Sequence, residues 1–234
     1  MKIRLVVIAA FLALMPCSLH AAGRIITFRT ADGVMLSGLL IEADGRAAPA
    51  VVLVPMLGRP RDDWQVVAQR LAEAHISALA IDLPAATLPA DPADLGAWQQ
   101  AVTGAAAYLA GRPADVRPGA IGVAGASLGA TLAVLAAAAD PAIRSVALVS
   151  PSLDYRGVRI DAPWALYGPR PALLVSSVHD PYAARSVRAL AQDTAGVREV
   201  RWSNVSAHGT VLVSRDADLA RALVEWFQRT LGVN

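Results

Sequence analysis

The stretch Gly125-Ala126-Ser127-Leu128-Gly129 decides the fold of this chain. A β-branched run, 121–123, precedes it and a helix-favouring apolar run, 131–136, follows it, which predicts a strand that turns sharply into a helix. Small residues two positions before and after Ser127 would let strand and helix pack closely at such a turn. The Ser127 hydroxyl would then lie at the carboxyl edge of a sheet, where helix-start amides can hold an anion. The pattern is also short enough to occur by chance as a plain connecting turn.

Strand patterns alternate with helix patterns from residue 23 onward. Ile25–Thr30 and Val34–Ile41 flank the turn Ala31-Asp32-Gly33 and predict an antiparallel hairpin. Further strands are predicted at Ala50–Val54, Ile76–Leu83, Ile143–Val149, Ala172–Ser177 and Val197–Trp202. Amphipathic helices are predicted from about Asp63, where Asp62 or Asp63 can cap the helix, and over 95–109, 183–195 and 216–231. This alternation predicts an α/β fold with a mostly parallel sheet covered by helices on both faces.

Residues 1–22 have the pattern of a secretory signal peptide. A start with two basic residues is followed by an apolar run and then by small residues at Ala21 and Ala22. The run is short for a bilayer span, so we expect export with cleavage near these alanines. A retained anchor and lipidation at Cys17 are the alternatives. The mature domain, 23–234, would then act in the periplasm or outside the cell without stable membrane insertion.

Composition excludes several kinds of chemistry. The 234 residues are 55% hydrophobic, enough for one sizeable core, and 21 basic residues face 19 acidic ones. Loss of the signal segment removes Lys2 and Arg4 and no acidic residue, which leaves 19 against 19 and no charge that would favour nucleic acid. Cys17 and Lys2 are the only cysteine and lysine, so a mature chain has no disulfide, thiolate or lysine chemistry. Histidines at 75, 179 and 208 lack metal-ligand spacing, and we expect neither a metal nor a cofactor.

The chain resembles the α/β-hydrolase superfamily, particularly small serine-dependent members similar to dienelactone hydrolase. The resemblance covers essentially all of 23–234. The segments that carry it are Leu53–Gly58, Ala80–Leu83, Gly125–Gly129, Leu173–Asp180 and Ala207–Thr210. One segment departs from the pattern, because relatives usually have His-Gly where this chain has Pro55-Met56. The resemblance implies an α/β-hydrolase fold with a minimal lid, and the oxyanion hole is the part of the site that this departure touches.

The family order of nucleophile, acid and base implies a Ser-Asp-His triad. Ser127 would be the nucleophile, and His208, in a turn after the strand that ends near Trp202, would take its proton. Asp180 directly follows a predicted strand and would orient the imidazole. Asp180 can alternatively cap the following helix, and Asp154 is the alternative acid.

The oxyanion of a tetrahedral intermediate needs hydrogen-bond donors. The backbone N–H groups of Leu128 and, by motif position, Leu57 are the predicted donors. Arg59 would meet a substrate carboxylate or else lie in solvent. Four side chains form a predicted apolar acyl pocket or else pack in the core: Met56, Leu57, Trp164 and Tyr167. The segment Pro151–Pro171 is short for a helical cap, which predicts an open site for small or exposed acyl compounds.

We therefore expect an exported serine hydrolase that acts on a small-molecule acyl substrate through an acyl-enzyme. A carboxylic-ester hydrolase is the favoured activity, while an amidase, peptidase, thioesterase or acyltransferase would use the same triad. A noncatalytic binding protein on the same fold is the alternative from a different class. The sequence predicts neither the acyl group nor the oligomeric state.

Overall fold

The computed structural model describes residues 23–45, 47–85, 94–193 and 195–233. The predicted signal segment, 1–22, lies outside these residues. The main sheet contains β1 (Arg24–Arg29), β2 (Met35–Ile41), β3 (Ala48–Val54), β4 (Ser77–Ile81), β5 (Val116–Ala126), β6 (Ile143–Val149), β9 (Ala172–Ser177) and β10 (Arg198–Ser203). A small separate hairpin is made by β7 (Asp154–Tyr155) and β8 (Val158–Arg159). The helices are α1 (Gln65–Glu73), α2 (Asp94–Ala110), α3 (Leu128–Ala139), α4 (Asp161–Tyr167), α5 (Pro181–Ala191), α6 (Gly209–Arg215) and α7 (Ala217–Leu231).

The main sheet is mostly parallel and begins with an antiparallel hairpin, as the sequence predicts. Its strand order is β1-β2-β4-β3-β5-β6-β9-β10. Strand β2 pairs antiparallel with both β1 and β4, and every later pair is parallel. Parallel strands end at the same edge of a sheet, and ligands of such folds bind outside those carboxyl ends. The segments that follow β3, β5, β6, β9 and β10 are therefore gathered at one edge.

Helices cover both faces of the sheet. In β3, which is buried throughout, Val52 and Val54 pack into one core with α2, α3 and residues of α5. Their neighbours Val51 and Leu53 point the other way, into a second core with α1, α6 and α7. Burial on both faces explains why β3 is a continuous apolar run rather than an alternating one.

Three short elements were not predicted. The hairpin β7–β8 and helix α4 lie in the segment Pro151–Pro171, for which no strand or helix was predicted, and α6 begins directly after His208. Each has too few residues for hydrophobic periodicity to stand out. The helix predicted from Asp63 begins as a 3₁₀ turn at Arg61–Trp64 before α1. None of the helices in the described ranges has the length and hydrophobicity that crossing a bilayer requires.

Candidate active site

Ser127 lies at the sharp turn between β5 and α3. Its φ of 52° and ψ of −115° are far from ordinary strand or helix values, a strain of about 1–3 kcal/mol that the surroundings must offset. The Ser127 N–H donates to the Val149 carbonyl at 2.9 Å, and its carbonyl accepts from the Ala130 N–H at 2.9 Å. These backbone bonds to β6 and α3 hold the turn in place. The sequence stretch that decides the fold thus forms a strained strand-to-helix elbow with a serine at its apex.

The two outer glycines of the elbow are required by close backbone contacts. A Cβ at Gly125 would lie 2.1 Å from the Gly129 carbonyl oxygen. A Cβ at Gly129 would lie 2.5 Å from the Val54 oxygen and 2.6 Å from the Pro55 oxygen. Each clash is with backbone, which cannot swing aside. The first turn of α3 therefore packs directly on the end of β3 and the loop after it.

His208 and Asp180 are joined at the same sheet edge. The Nδ1 atom of His208 lies 2.5 Å from Oδ2 of Asp180, and the Asp180 side chain is only 15% exposed. With a proton on Nδ1, this bond fixes the ring and leaves Nε2 as the proton acceptor. The second carboxylate oxygen, Oδ1, accepts from the Ala183 N–H at 3.1 Å and caps α5. The contacts that the two predicted roles of Asp180 require are thus both present, each made by a different oxygen.

Ser127 and His208 line one cavity of about 310 Å³. Its other lining residues are Ser150, Ser152, Asp154, Tyr155, Arg156 and Tyr182. Among the described residues no hydrogen bond joins Ser127 to His208, and such bonds are often long before a substrate binds. Ser127 stays partly exposed. A larger groove of about 600 Å³ between β10 and α7 contains none of the predicted site residues.

The alternative acid, Asp154, lies in β7 at the cavity wall. Its carboxylate accepts from the Gly157 N–H at 2.6 Å within its own hairpin. In the described part of the chain it makes no bond to His208. The structure therefore pairs His208 with Asp180 and not with Asp154.

The two predicted oxyanion donors lie on either side of the packed elbow. Leu128 is the first residue of α3, where the helix dipole favours negative charge. Leu57 lies in the tight turn after β3 that is closed by a bond from the Arg59 N–H to the Met56 carbonyl at 3.2 Å. Within the described residues neither the Leu57 N–H nor the Leu128 N–H donates to another group of the protein. Leu128 is fully buried, and neither residue is among the described residues that line the cavity shared by Ser127 and His208.

The segment after His208 is held by the residue that follows β6 and by the 3₁₀ turn before α1. Ser150, directly after β6, accepts at Oγ from the Gly209 N–H at 3.0 Å. Thr210 donates its hydroxyl to Asp63 Oδ2 at 2.6 Å. The Met56 side chain packs against Gly209, whose added Cβ would lie 2.6 Å from the Met56 sulfur. Met56 therefore contacts the His208 segment and does not line the cavity.

Arg59 is exposed, and its guanidinium is paired with a carboxylate of the protein. Its guanidinium makes two hydrogen bonds to Asp63, at 2.7 and 2.9 Å. Burial raises the pKa of Asp63, but the bonds from Arg59 and Thr210 together outweigh it and hold that pKa below its usual value. Arg59 lines a separate depression beside Asp82, so the structure does not bring it to Ser127.

Trp164 and Tyr167 are also placed away from the cavity. Both are buried in α4, with their rings stacked 5.5 Å apart, and the Tyr167 hydroxyl donates to the Pro171 carbonyl at 2.6 Å. The guanidinium of Arg198 lies 4.6 Å from the Trp164 ring centroid, and burial raises the pKa of Tyr167. Of the alternatives given for these aromatic residues, the structure therefore shows packing in the core.

Sequence reasoning missed several residues of the cavity wall. The Tyr182 hydroxyl lies 3.0 Å from Ser152 Oγ and donates to the Asp154 carbonyl at 2.9 Å, which ties α5 to the hairpin. Burial raises the pKa of the neighbouring Tyr155 hydroxyl. Their positions in the chain could have indicated them, because Ser150 directly follows β6 and Tyr182 lies two residues after Asp180. The described chain holds no group of three or more His, Cys, Asp or Glu side chains that could bind a metal ion.

Comparisons with known proteins agree with this architecture. No protein-family model matches the chain, and no curated protein matches it in sequence. A dienelactone hydrolase from Anabaena variabilis is similar in structure, with a TM-score of 0.69 and 20% identity over 90% of this chain and 99% of that one. The esterase Pf2001 of Pyrococcus furiosus gives a TM-score of 0.75 and 15% identity over 97% of this chain and 98% of that one. EstE1, a carboxylesterase from a metagenomic library, gives 0.67 and 18% over 90% of this chain and 88% of that one. These likenesses confirm the fold implied by the sequence motifs, and the chain has an α/β-hydrolase fold similar to that of dienelactone hydrolase.

Proposed function

We propose that this protein is a serine hydrolase that cleaves carboxylic esters through an acyl-enzyme. One observation carries the proposal, namely that His208, held by Asp180 at 2.5 Å, lines the same cavity as the strained Ser127. The hydrolases and esterases among similar structures support it through the fold alone. A binding protein would need neither the hydrogen-bonded base nor the strained serine.

Acylation begins at Ser127. An ordinary hydroxyl is a poor nucleophile near neutral pH, so the free Nε2 of His208 accepts its proton as Oγ attacks the acyl carbon. Asp180 stabilises the imidazolium that forms. The imidazolium then protonates the leaving alcohol, and the ester bond breaks. A water molecule, activated in the same way, releases the acid and restores Ser127.

The tetrahedral intermediate carries a negative oxygen. The unpartnered N–H groups of Leu57 and Leu128 would donate to it, one from the loop after β3 and one from the first turn of α3. Backbone donors do not depend on the side chain, so Pro55-Met56 in place of the usual His-Gly leaves them intact. Loss of one such donor typically costs on the order of a hundred-fold or more in rate.

The cavity favours small substrates. Its volume of about 310 Å³ is at the low end of ligand sites, and its wall consists largely of hydroxyl-bearing side chains. We infer that short acyl groups fit inside it while longer groups extend into solvent past the hairpin β7–β8.

An active-site-directed fluorophosphonate tests the nucleophile. The purified wild type should be labelled, and Ser127→Ala should not. Ser152→Ala is the matched control because Ser152 is another serine of the same cavity wall, and it should still be labelled. Failure to label folded wild type would favour the noncatalytic binding protein instead.

A substrate panel tests the reaction class. Chromogenic esters of increasing acyl length, a thioester, an anilide and a lactone would be compared under the same conditions. Short esters should give the highest kcat/KM. A preference for the anilide or for acyl transfer to an added alcohol would reassign the same triad to an amidase or an acyltransferase.

A further inference from the structure

We propose that Asp63 is a positioning residue that ties the loop after β3 to the segment bearing His208, so that oxyanion donor and base keep one mutual arrangement. This inference rests on the proposed function and deepens it. The carboxylate touches neither Ser127 nor the cavity, so it would act through the groups that it holds.

One carboxylate joins the two segments. Arg59, at the end of the turn that contains Leu57, bonds both oxygens of Asp63. Thr210, two residues after His208, donates its hydroxyl to Oδ2 at 2.6 Å. Along the chain, Arg59 and Thr210 are separated by most of the strands of the sheet. Asp63 connects them directly through its hydrogen bonds to both.

The carboxylate itself is held rigidly. Asp63 belongs to the 3₁₀ turn whose last residue, Trp64, is fully buried in the second core. The Asp63 side chain is 13% exposed, and Thr210 is fully buried. The neighbouring helix α6 packs against this turn. Although the Arg59 side chain is 46% exposed, its pair with Asp63 uses both carboxylate oxygens, and a two-bond pair of this kind fixes the relative orientation of the two groups.

A second contact connects the same two segments. The Met56 sulfur packs against Gly209, which has a φ of 58°. Met56 also provides the carbonyl that closes the turn to Arg59. The apolar and the polar contact thus connect the Leu57 turn to residues 208–210 from two sides. Asp63 is the member that can be altered without changing the volume of the packing.

The test compares variants that remove the connection with variants that keep it. Asp63→Asn weakens the bond to Arg59, and Thr210→Val removes the hydroxyl that donates to Asp63. Thr210→Ser keeps that hydroxyl. Asp193→Asn is the matched control, because Asp193 is a 25%-exposed carboxylate that pairs with Arg198 and accepts the Ala195 N–H. It lies between α5 and β10, at the opposite edge of the sheet.

Hydrolysis of p-nitrophenyl acetate provides the first measurement. Misplacement of catalytic groups lowers kcat, so Asp63→Asn and Thr210→Val should lose about 10- to 100-fold in kcat with KM within about twofold. Thr210→Ser should retain most of the wild-type kcat. Wild-type kcat in Asp63→Asn, or an equal loss in Asp193→Asn, would overturn the inference.

Amide hydrogen exchange separates this inference from the proposed function. In Asp63→Asn, exchange should accelerate together in 56–59 and 207–210, while in Asp193→Asn both segments should match wild type. Acceleration in one segment alone, or in neither, overturns the connection whether or not the protein hydrolyses esters. Wild type that neither hydrolyses the ester nor reacts with a fluorophosphonate would instead overturn the proposed function, with exchange still deciding the connection.

Discussion

The carboxylate of Asp180 serves two partners through separate oxygens, His208 through Oδ2 and the first turn of α5 through Oδ1. The two roles can be separated by substitution. Asp180→Asn keeps one oxygen, which can still cap α5, while its NH₂ group faces Nδ1 and favours the wrong tautomer of His208. We expect kcat to fall on the order of a thousandfold or more with little change in stability.

Asp180→Ala should lose the same activity and also the cap, which lowers the free energy of unfolding by about 1 kcal/mol. Urea unfolding of both variants, alongside ester turnover, makes the distinction. Near-normal turnover in Asp180→Asn would instead assign the acid of the triad to Asp154. Asp154→Asn is therefore measured alongside it.

Gly129 can be tested as a contact between backbones. Gly129→Ala would place a methyl group against the carbonyls of Val54 and Pro55, and overpacking of this kind costs about 1–3 kcal/mol. Because the same shift separates the loop after β3 from α3, activity should fall as well. Gly96→Ala, in α2 with no atom within 4 Å of the new Cβ, should be neutral or stabilising by up to about 1 kcal/mol. Equal stability of the two variants would contradict the close packing of the elbow.

Individual site residues differ in how far the sequence reveals them. Ser127, Asp180 and His208 each follow a strand, and parallel strands bring such positions together, so their grouping could be predicted. Asp63 could not be assigned beyond a helix cap, because its partner Thr210 is 147 positions away and no local pattern links them. Arg59 was equally ambiguous, since an arginine in a loop shows its partner only in three dimensions.

At the scale of elements, α4 shows where hydropathy is insufficient. Its seven residues contain aromatic side chains that would suit either a substrate pocket or a core, and only the packing of α4 on α3 decides for the core. Strands such as β3 were predicted well, because burial on both faces leaves a continuous apolar run. The two-residue strands of the β7–β8 hairpin carry no such signal, although they form part of the cavity wall.

The packing role of α4 leads to a prediction about stability and specificity. Trp164→Ala should lower the free energy of unfolding by about 3–5 kcal/mol, because it empties a buried site in contact with both Tyr167 and Arg198. Leu166→Ala on the same helix, at a side chain 73% exposed, should change it little. In both variants the ratio of kcat/KM for p-nitrophenyl acetate and hexanoate should match wild type. A changed ratio with unchanged stability would instead place Trp164 in contact with substrate.

For the molecule as a whole, two separate cores leave one sheet edge free to hold chemistry. Helices bury both faces of the strands. The loops at the carboxyl edge therefore begin from a rigid, packed sheet, which can stabilise the strained backbone of Ser127. Loops from β3, β5, β6, β9 and β10 all contribute to the site or to the groups that hold it. This arrangement explains why residues from 63 to 210 converge although they are distant in sequence.

Export of the whole molecule remains a proposal, and the composition offers a direct test. Cys17 is the only cysteine, so cleavage near Ala21 or Ala22 removes every thiol from the protein. Protein isolated from the cell envelope or medium of an expressing bacterium should therefore resist maleimide even when unfolded, and its intact mass should match a chain that begins near residue 22 or 23. Cys17→Ser should leave that mature mass unchanged. A maleimide-reactive full-length chain would indicate a retained anchor, whereas a chain that begins at Cys17 with added lipid mass would indicate lipidation. Either result would replace the cleaved, exported form by a membrane-tethered one.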